Sequence, residues 1–363
     1  MKKKKIIVYD PYLDTLGGGE RHILSIAKVF DQCGYHVDVI WNDASISDRL
    51  KKQFDMDFSH LSIVHSFFEG NIVSKFLETK KYEHFFYVTD GSYLFSGASH
   101  NHVFCMYPKK ELYKATWINH MKWSNFDFIC NSHFTKSFVD KWTGKESSVI
   151  YPYIDFRYFH KNHTGTNKQN IILSVGRFFR HLHTKRQDIL IKAFNKLQRE
   201  NNMFKDFKLY LIGGLKEEDK KYFDELVLLA RDNDNIIFLP NASQTTVIEY
   251  YRKALFFWHA AGYDINEKHS PELVEHLGIS PLEAMASGCI IFCPKKGELA
   301  TLIKNGKNGF VYNMMDELVQ KTIDTYNIRN TLTEIANQAQ LFISEHFSYE
   351  DFKKRVITHF HLI

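Results

Sequence analysis

Glu275 and Glu283 stand on either side of Gly278-Ile279-Ser280-Pro281, an arrangement that can hold a phosphorylated polyol. A carboxylate accepts two hydrogen bonds from vicinal hydroxyls, as a ribose or a hexose offers them. The free N–H groups of a helix start suit a diphosphate. Ser280 reads as an N-cap, Pro281 as the first helical residue and Glu283 as the acid of a capping box, so Glu283 also has a purely structural reading. Glu275, just ahead of a glycine turn, is not explained that way. A second candidate is Asp14-Thr15-Leu16-Gly17-Gly18-Gly19-Glu20-Arg21. Its glycines let backbone approach a ligand and present N–H groups, or they simply make a tight strand-to-helix turn. The spacing is neither Gly-x-Gly-x-x-Gly nor Gly-x-x-x-x-Gly-Lys-Ser/Thr, which disfavours a dinucleotide fingerprint and a P-loop.

These residues need a scaffold, and the pattern supplies one. Apolar runs recur at Lys5–Tyr9, His36–Asn42, Leu61–Ser66, His84–Asp90, His102–Tyr107, Phe126–Ser132 and Ser148–Tyr151. Most are apolar on both faces, as parallel strands beneath helices require. Ile23, Ile26, Ala27 and Phe30 have helical spacing, and Gly34 is placed to end that helix. After a polar stretch at Tyr153–Asn170 the alternation resumes with Ile171–Arg177, Phe207–Gly214, Asn235–Pro240, Leu255–Ala260 and Cys289–Pro294, with helical patterns at Gln187–Arg199 and Glu217–Arg231. The expectation is an α/β protein of two doubly wound parallel-sheet domains, 1–160 and 161–345. A closing helix at 346–363, opened by Ser348-Tyr349-Glu350-Asp351, is expected to cross back to the first domain. Ligands of such sheets collect at the carboxyl ends of strands.

Composition limits the alternatives. At 363 residues, two domains are the starting expectation, and 44% hydrophobic with 25% charged residues excludes wholesale disorder. No apolar stretch is long enough for a membrane span, and the first residues lack the apolar core of a secretory signal, so a cytoplasmic location is expected. The net charge of +5 falls short of a nucleic-acid footprint. Lys2, Lys3, Lys4 and Lys5 read either as a contact for an anionic membrane surface or as a solvated leader. Five cysteines without a Cys-x-x-Cys are expected as reduced thiols, with Cys105, Cys130 and Cys289 in strands.

Glu-x7-Glu followed by Ala284-Met285-Ala286-Ser287-Gly288 and an apolar strand resembles the signature of the retaining glycosyltransferases of family 4. That resemblance implies the GT-B fold, two Rossmann-like domains facing across a cleft. It assigns Glu275 to the donor sugar, Glu283 to the nucleotide ribose, and Gly278, Ile279, Ser280 and Leu282 to the donor's diphosphate end. Val175-Gly176-Arg177 and Lys185 resemble the family's phosphate-gripping Arg and Lys. Arg186 stands where glycine is usual, leaving open which cation reaches the phosphate. Leu239, within Asn235–Asn241, falls on the strand whose end packs near the donor base. Gly18 and Gly19 belong to a loop resembling that of mannosyltransferases of the asparagine-linked glycan type. Many relatives carry a histidine after a middle strand of the first domain. Here that strand ends Thr89-Asp90-Gly91-Ser92, where Asp90 either meets the acceptor or shapes an Asx turn, with His100 and His102 as nearby alternatives.

The resemblance implies transfer of a hexosyl group, with retention, from a nucleoside-diphosphate sugar (GDP-mannose or a UDP-hexose) to a hydroxyl of a glycan or lipid-linked acceptor. No metal or other cofactor is expected. A metal-dependent transferase of the other fold would need an Asp-x-Asp at a strand end, and Asp55-Met56-Asp57 and Asp232-Asn233-Asp234 sit in polar connections instead. The competing readings are a non-catalytic sugar-nucleotide-binding subunit and a GT-B sugar-nucleotide epimerase.

Overall fold

A computed structural model describes residues 4–155, 168–180 and 184–362, the side chains at 329 and 330 excepted. Lys2, Lys3, His183 and the expected boundary at 160–161 lie outside the described residues. The chain divides into two compact units: one runs to Tyr153 and resumes at Tyr349, and the other is Ile154–Ser348.

The first unit is built on β1 (Lys5–Tyr9), β2 (His36–Ile40), β3 (Leu61–Val64), β4 (His84–Val88), β5 (His100–Cys105), β6 (Phe126–Cys130) and β7 (Ser148–Val149). All pairs are parallel, in the order 3-2-1-4-5-6-7. The connections carry α1 (Gly18–Gln32), α2 (Ile46–Phe54), α3 (Ile72–Thr79), α4 (Trp117–Trp123) and α5 (His133–Thr143). Because parallel strands are covered on both faces, Ile6, Val8, Phe86 and Phe104 point into one core and Ile7, Phe85, Tyr87 and Val103 into another. Strand β5 begins two residues before the sequence expectation, because His100 and Asn101 continue its ladder despite their polarity.

The second unit repeats the plan with β8 (Gln169–Val175), β9 (Lys208–Gly213), β10 (Ile236–Pro240), β11 (Ala254–Trp258), β12 (Ile290–Pro294) and β13 (Phe310–Tyr312), in the order 10-9-8-11-12-13. Its helices are α6 (Gln187–Glu200), α7 (Lys220–Ala230), α8 (Gln244–Lys253), α9 (Ile279–Ala286), α10 (Leu299–Leu302), α11 (Met315–Asn327) and α12 (Arg329–His346). Both sheets therefore reverse direction beside their first strand, between β1 and β4 and between β8 and β11, where doubly wound folds bind ligands.

The last helix, α13 (Tyr349–Phe360), packs on α1, and its Phe352, Val356 and Phe360 complete the core around Ile26 and Phe30. All five cysteines are free thiols, four of them buried. Asp55 caps α2, Asp57 pairs with Lys51, and Asp232 and Asp234 follow α7; neither Asp-x-Asp lies at the carboxyl end of a strand.

Candidate active site

Strand β8 ends at Val175, and Gly176 and Arg177 leave it at the sheet's reversal. The side-chain amide of Gln187, at the start of α6, donates to the carbonyl oxygens of Gly176 (3.4 Å) and Arg177 (3.1 Å), tying the strand exit to the helix entrance. Gly176 also leaves room for Lys185: a Cβ there would lie 2.6 Å from Lys185 Cγ. Lys185 and Arg186 then diverge. Arg186 forms a forked pair with Asp188 (3.0 and 3.2 Å) and donates to the Tyr263 carbonyl (3.1 Å). Lys185 reaches the other way, and its Nζ lies 2.5 Å from Glu275 Oε2. Lys185 thus faces Glu275, while Arg186 is committed to its own helix start. Arg177 is exposed, its guanidinium over the Phe179 ring at 5.1 Å.

Glu275 has a second neighbour. His259, directly after β11, places Nε2 3.2 Å from the same carboxylate oxygen. Burial holds the His259 imidazole below its ordinary pKa, although Glu275 pulls the other way. The adjacent His276 is pushed down to about 4 by burial. Burial thus disfavours the charged form of both rings, and the Lys185 ammonium lies beside Glu275. Lys185, Glu275 and His259 sit on the carboxyl side of β8 and β11, the two strands flanking the reversal.

The turn after Glu275 differs from the expectation. The Ser280 N-cap is not formed: α9 starts at Ile279, its cap is Gly278 at φ +87°, and no side chain caps it. That left-handed conformation favours glycine. Glu283 does not close a capping box either. Its Oε2 accepts from the buried Tyr251 hydroxyl at 3.0 Å, and the same hydroxyl lies 3.2 Å from the Ser280 carbonyl oxygen. The local cap signal is overridden because the chain must pivot at Gly278 to bring Glu275 back over the helix start. Leu282 donates to Gly278, so the first-turn N–H groups of Ile279 and Ser280 are the ones a helix leaves for an anion. The segment 262–271 is pinned to the loop after β12, because Glu267 accepts from Gly297 N–H (2.8 Å) and Lys296 donates to Ile265. Leu239 stands on β10, two strands from β8.

In the first unit Gly18 and Gly19 open α1. Glu20 turns back to accept from Gly17 N–H at 2.6 Å, and Gly19 sits against Met106. Asp90 Oδ1 accepts from the Tyr87 hydroxyl (2.5 Å), Ser92 N–H (2.8 Å) and the Ser92 hydroxyl (2.6 Å), so the Asx turn is formed. His100 and His102 lie near the amino end of β5, away from Asp90. His102 Nε2 is 3.0 Å from His84 Nδ1, and both rings line a cavity of about 640 Å³ with Tyr35, Asp127, Phe360 and His361.

Sequence reasoning did not single out Asp10, Tyr251, His259 or His276. Asp10 and His259 share one signal, being the first polar residue after a buried parallel strand. Asp10 is fully buried, its carboxyl pushed up to about 7 by burial and then by Glu20.

A model of the glycosyl transferases group 1 family matches residues 155–342. The D-inositol 3-phosphate glycosyltransferase of Acidothermus cellulolyticus is 28% identical over 150 residues, which cover 40% of this chain and 30% of that protein's length. A glycosyltransferase from Rickettsia africae matches 99% of this chain and 98% of its own with a TM-score of 0.76 at 16% identity. HepE from Anabaena, solved with UDP and glucose, matches 99% and 100% with a TM-score of 0.72 at 16% identity. The chain has the GT-B fold of two Rossmann-like units.

Proposed function

The chain belongs to the glycosyl transferases of group 1, and from that premise we propose that it is a retaining hexosyltransferase using a nucleoside-diphosphate sugar. The observation that carries the reading is the group Lys185–Glu275–His259 beside the Gly278 turn, at the reversal of the second sheet. A carboxylate paired with an ammonium and flanked by an imidazole is held in orientation, as an acceptor for the hydroxyls of a donor sugar requires. Glu283, held by Tyr251, is the corresponding acceptor for the ribose. Arg177, Lys185 and the N–H groups of Ile279 and Ser280 take the charge that builds on the diphosphate as the glycosidic bond stretches. Removing one such donor typically costs roughly 100- to 1000-fold in rate.

In this scheme the acceptor hydroxyl attacks from the leaving-group side and the departing diphosphate takes its proton. Leu239 and Leu282 add apolar contact to the donor. Asp90, its Oδ1 engaged by Tyr87 and Ser92, shapes its own loop in this scheme. The scheme invokes no metal. The acceptor is a hydroxyl of a glycan or of a lipid-linked sugar. The complex of HepE with UDP and glucose supports a UDP-hexose as the first donor to test, with GDP-mannose second.

A thermal-shift screen of nucleotide sugars, followed by release of nucleoside diphosphate from the best binder, tests the reading. A donor present at 100 times its Kd stabilises the protein by about 2.7 kcal/mol. Slow donor hydrolysis, and a glycoside product of unchanged anomeric configuration by NMR, are expected. Stabilisation by no nucleotide sugar, or inverted product, would overturn it.

A further inference from the structure

Two neighbouring helices of the first unit turn their apolar stripes outward. On α3, Ile72, Val73, Phe76 and Leu77 repeat at helical spacing and are 65%, 65%, 42% and 54% exposed. On α4, Trp117, Ile118 and Met121 are 72%, 43% and 52% exposed. Single exposed apolar residues are ordinary, but two such stripes in one place are not. Their adjacency rests on two hydrogen bonds and one charge interaction. Thr79, at the end of α3, accepts from Gly97 N–H at 2.8 Å, and Asn125, just past α4, donates to the Ser96 carbonyl at 3.2 Å, so both helices are fastened to one loop. Lys75 of α3 and Lys122 of α4 are close enough to repel: partial burial and then Lys75 hold the Lys122 ammonium below its ordinary pKa.

The charge around the stripes has one sign. Residues 72–81 and 114–122 carry Lys75, Lys80, Lys81, Lys114 and Lys122 against one acid, Glu78, which pairs with Lys81 at 2.6 Å. A second copy of this face would set lysines against lysines, which disfavours self-pairing. An anionic lipid surface complements it in both respects: acyl chains and headgroup boundary for the Trp, Phe, Ile and Leu side chains, phosphates for the ammonium groups that ring them. Among the described residues no helix is long and apolar enough to cross a membrane, so such contact lies in the interface.

We propose that α3 and α4 form a membrane-docking face that inserts Ile72, Val73, Leu77 and Trp117 at the surface of an anionic bilayer. The proposal does not depend on the donor or on the glycosyl-transfer reading, and it is separate from the Lys2–Lys5 run.

Co-sedimentation of the full chain with vesicles tests it. Wild type is expected to partition onto phosphatidylcholine vesicles containing about a third phosphatidylglycerol, more strongly at about 0.05 M than at about 0.3 M salt, and weakly onto pure phosphatidylcholine. The variant Val73→Ser/Leu77→Ser/Trp117→Ser replaces residues that are each more than half exposed, so its melting temperature is expected to match wild type. Its partitioning is expected to fall at least about tenfold while donor hydrolysis in solution is unchanged. Lys75→Gln/Lys122→Gln is expected to lose most of the preference for phosphatidylglycerol. Lys2–Lys5 stay intact in these variants. Unchanged partitioning of the triple variant would overturn the proposal. So would a loss seen only on neutralising Lys2–Lys5, equal binding to neutral vesicles, or a wild-type dimer that the triple variant abolishes.

Discussion

The two units lay acids at the carboxyl ends of the same strand pattern, yet hold them differently. In the second unit Glu275 is paired with Lys185, 90 residues away in sequence, and Glu283 with Tyr251, 32 residues away. In the first unit Asp10 accepts from Tyr12, Glu20 from Gly17, and Asp90 from Tyr87 and Ser92, all within three residues. Locally satisfied acids fold loops. Acids held by distant segments of the chain are placed only when the unit around them has formed, and they arrive ready for a ligand, which is the arrangement electrostatic catalysis needs. The difference therefore predicts which acids matter for turnover and which for shape.

The sharpest way to break that comparison is by kinetics. Lys185→Ala and Glu275→Ala are each expected to lower turnover roughly 100- to 1000-fold with the fold intact, whereas Asp90→Ala costs less than about tenfold. Steady-state rates with circular dichroism on each variant decide it, and near-wild-type turnover in either of the first two would remove the site assignment.

Asp10 gives the next effect, in stability. Its folded carboxyl titrates near 7 and an unfolded one near 3.9, so the folded state binds the extra proton and ionisation above pH 4 weakens the fold until pH 7 is passed. Asp10→Asn keeps the acceptor for Tyr12 and cannot ionise. Relative to wild type it is expected to be about 2–3 kcal/mol more stabilising at pH 8 than at pH 5, read from urea melts at both values.

His84 has the opposite sign. Burial, then His100 and Lys4, hold its imidazole down to about 4, so the folded state refuses a proton that the unfolded chain takes up near 6.5. Stability is full above pH 6.5 and is lost as pH falls toward 4. His84→Gln is expected to remove about 2 kcal/mol of the wild-type loss between pH 7 and pH 5, so a melting temperature that falls equally steeply in the variant would contradict the assignment.

The smallest effect sharpens the comparison within the second unit. Tyr251→Phe removes the hydroxyl from Glu283 and is expected to cost about 1 kcal/mol, seen as a raised KM for donor with kcat little changed.

The architecture was largely legible because a parallel strand buried on both faces leaves an uninterrupted apolar run. Where polarity intrudes the reading slips: His100 and Asn101 hid the start of β5, and the three-residue β13 was too short to register. Glu275, Glu283 and Lys185 were legible through spacing and family resemblance. Their partners were not, since nothing in the local sequence at His259 or Tyr251 says which glutamate each will face. The same limit explains Ser280, where good capping chemistry yields to the Gly278 pivot that tertiary packing imposes.

The return of α13 to the first core has a consequence for how the chain is made. Phe352, Val356 and Phe360 of that core are translated only after the whole of 154–348. Residues 154–348 are translated first, and at 5–20 residues per second that takes roughly 10–40 s. Throughout that interval the core around Phe30 of α1 and Phe86 of β4 lacks its closing helix, while Ile154–Ser348 is continuous in sequence. The nascent first unit thus keeps that apolar face open until Tyr349–Phe360 has been made.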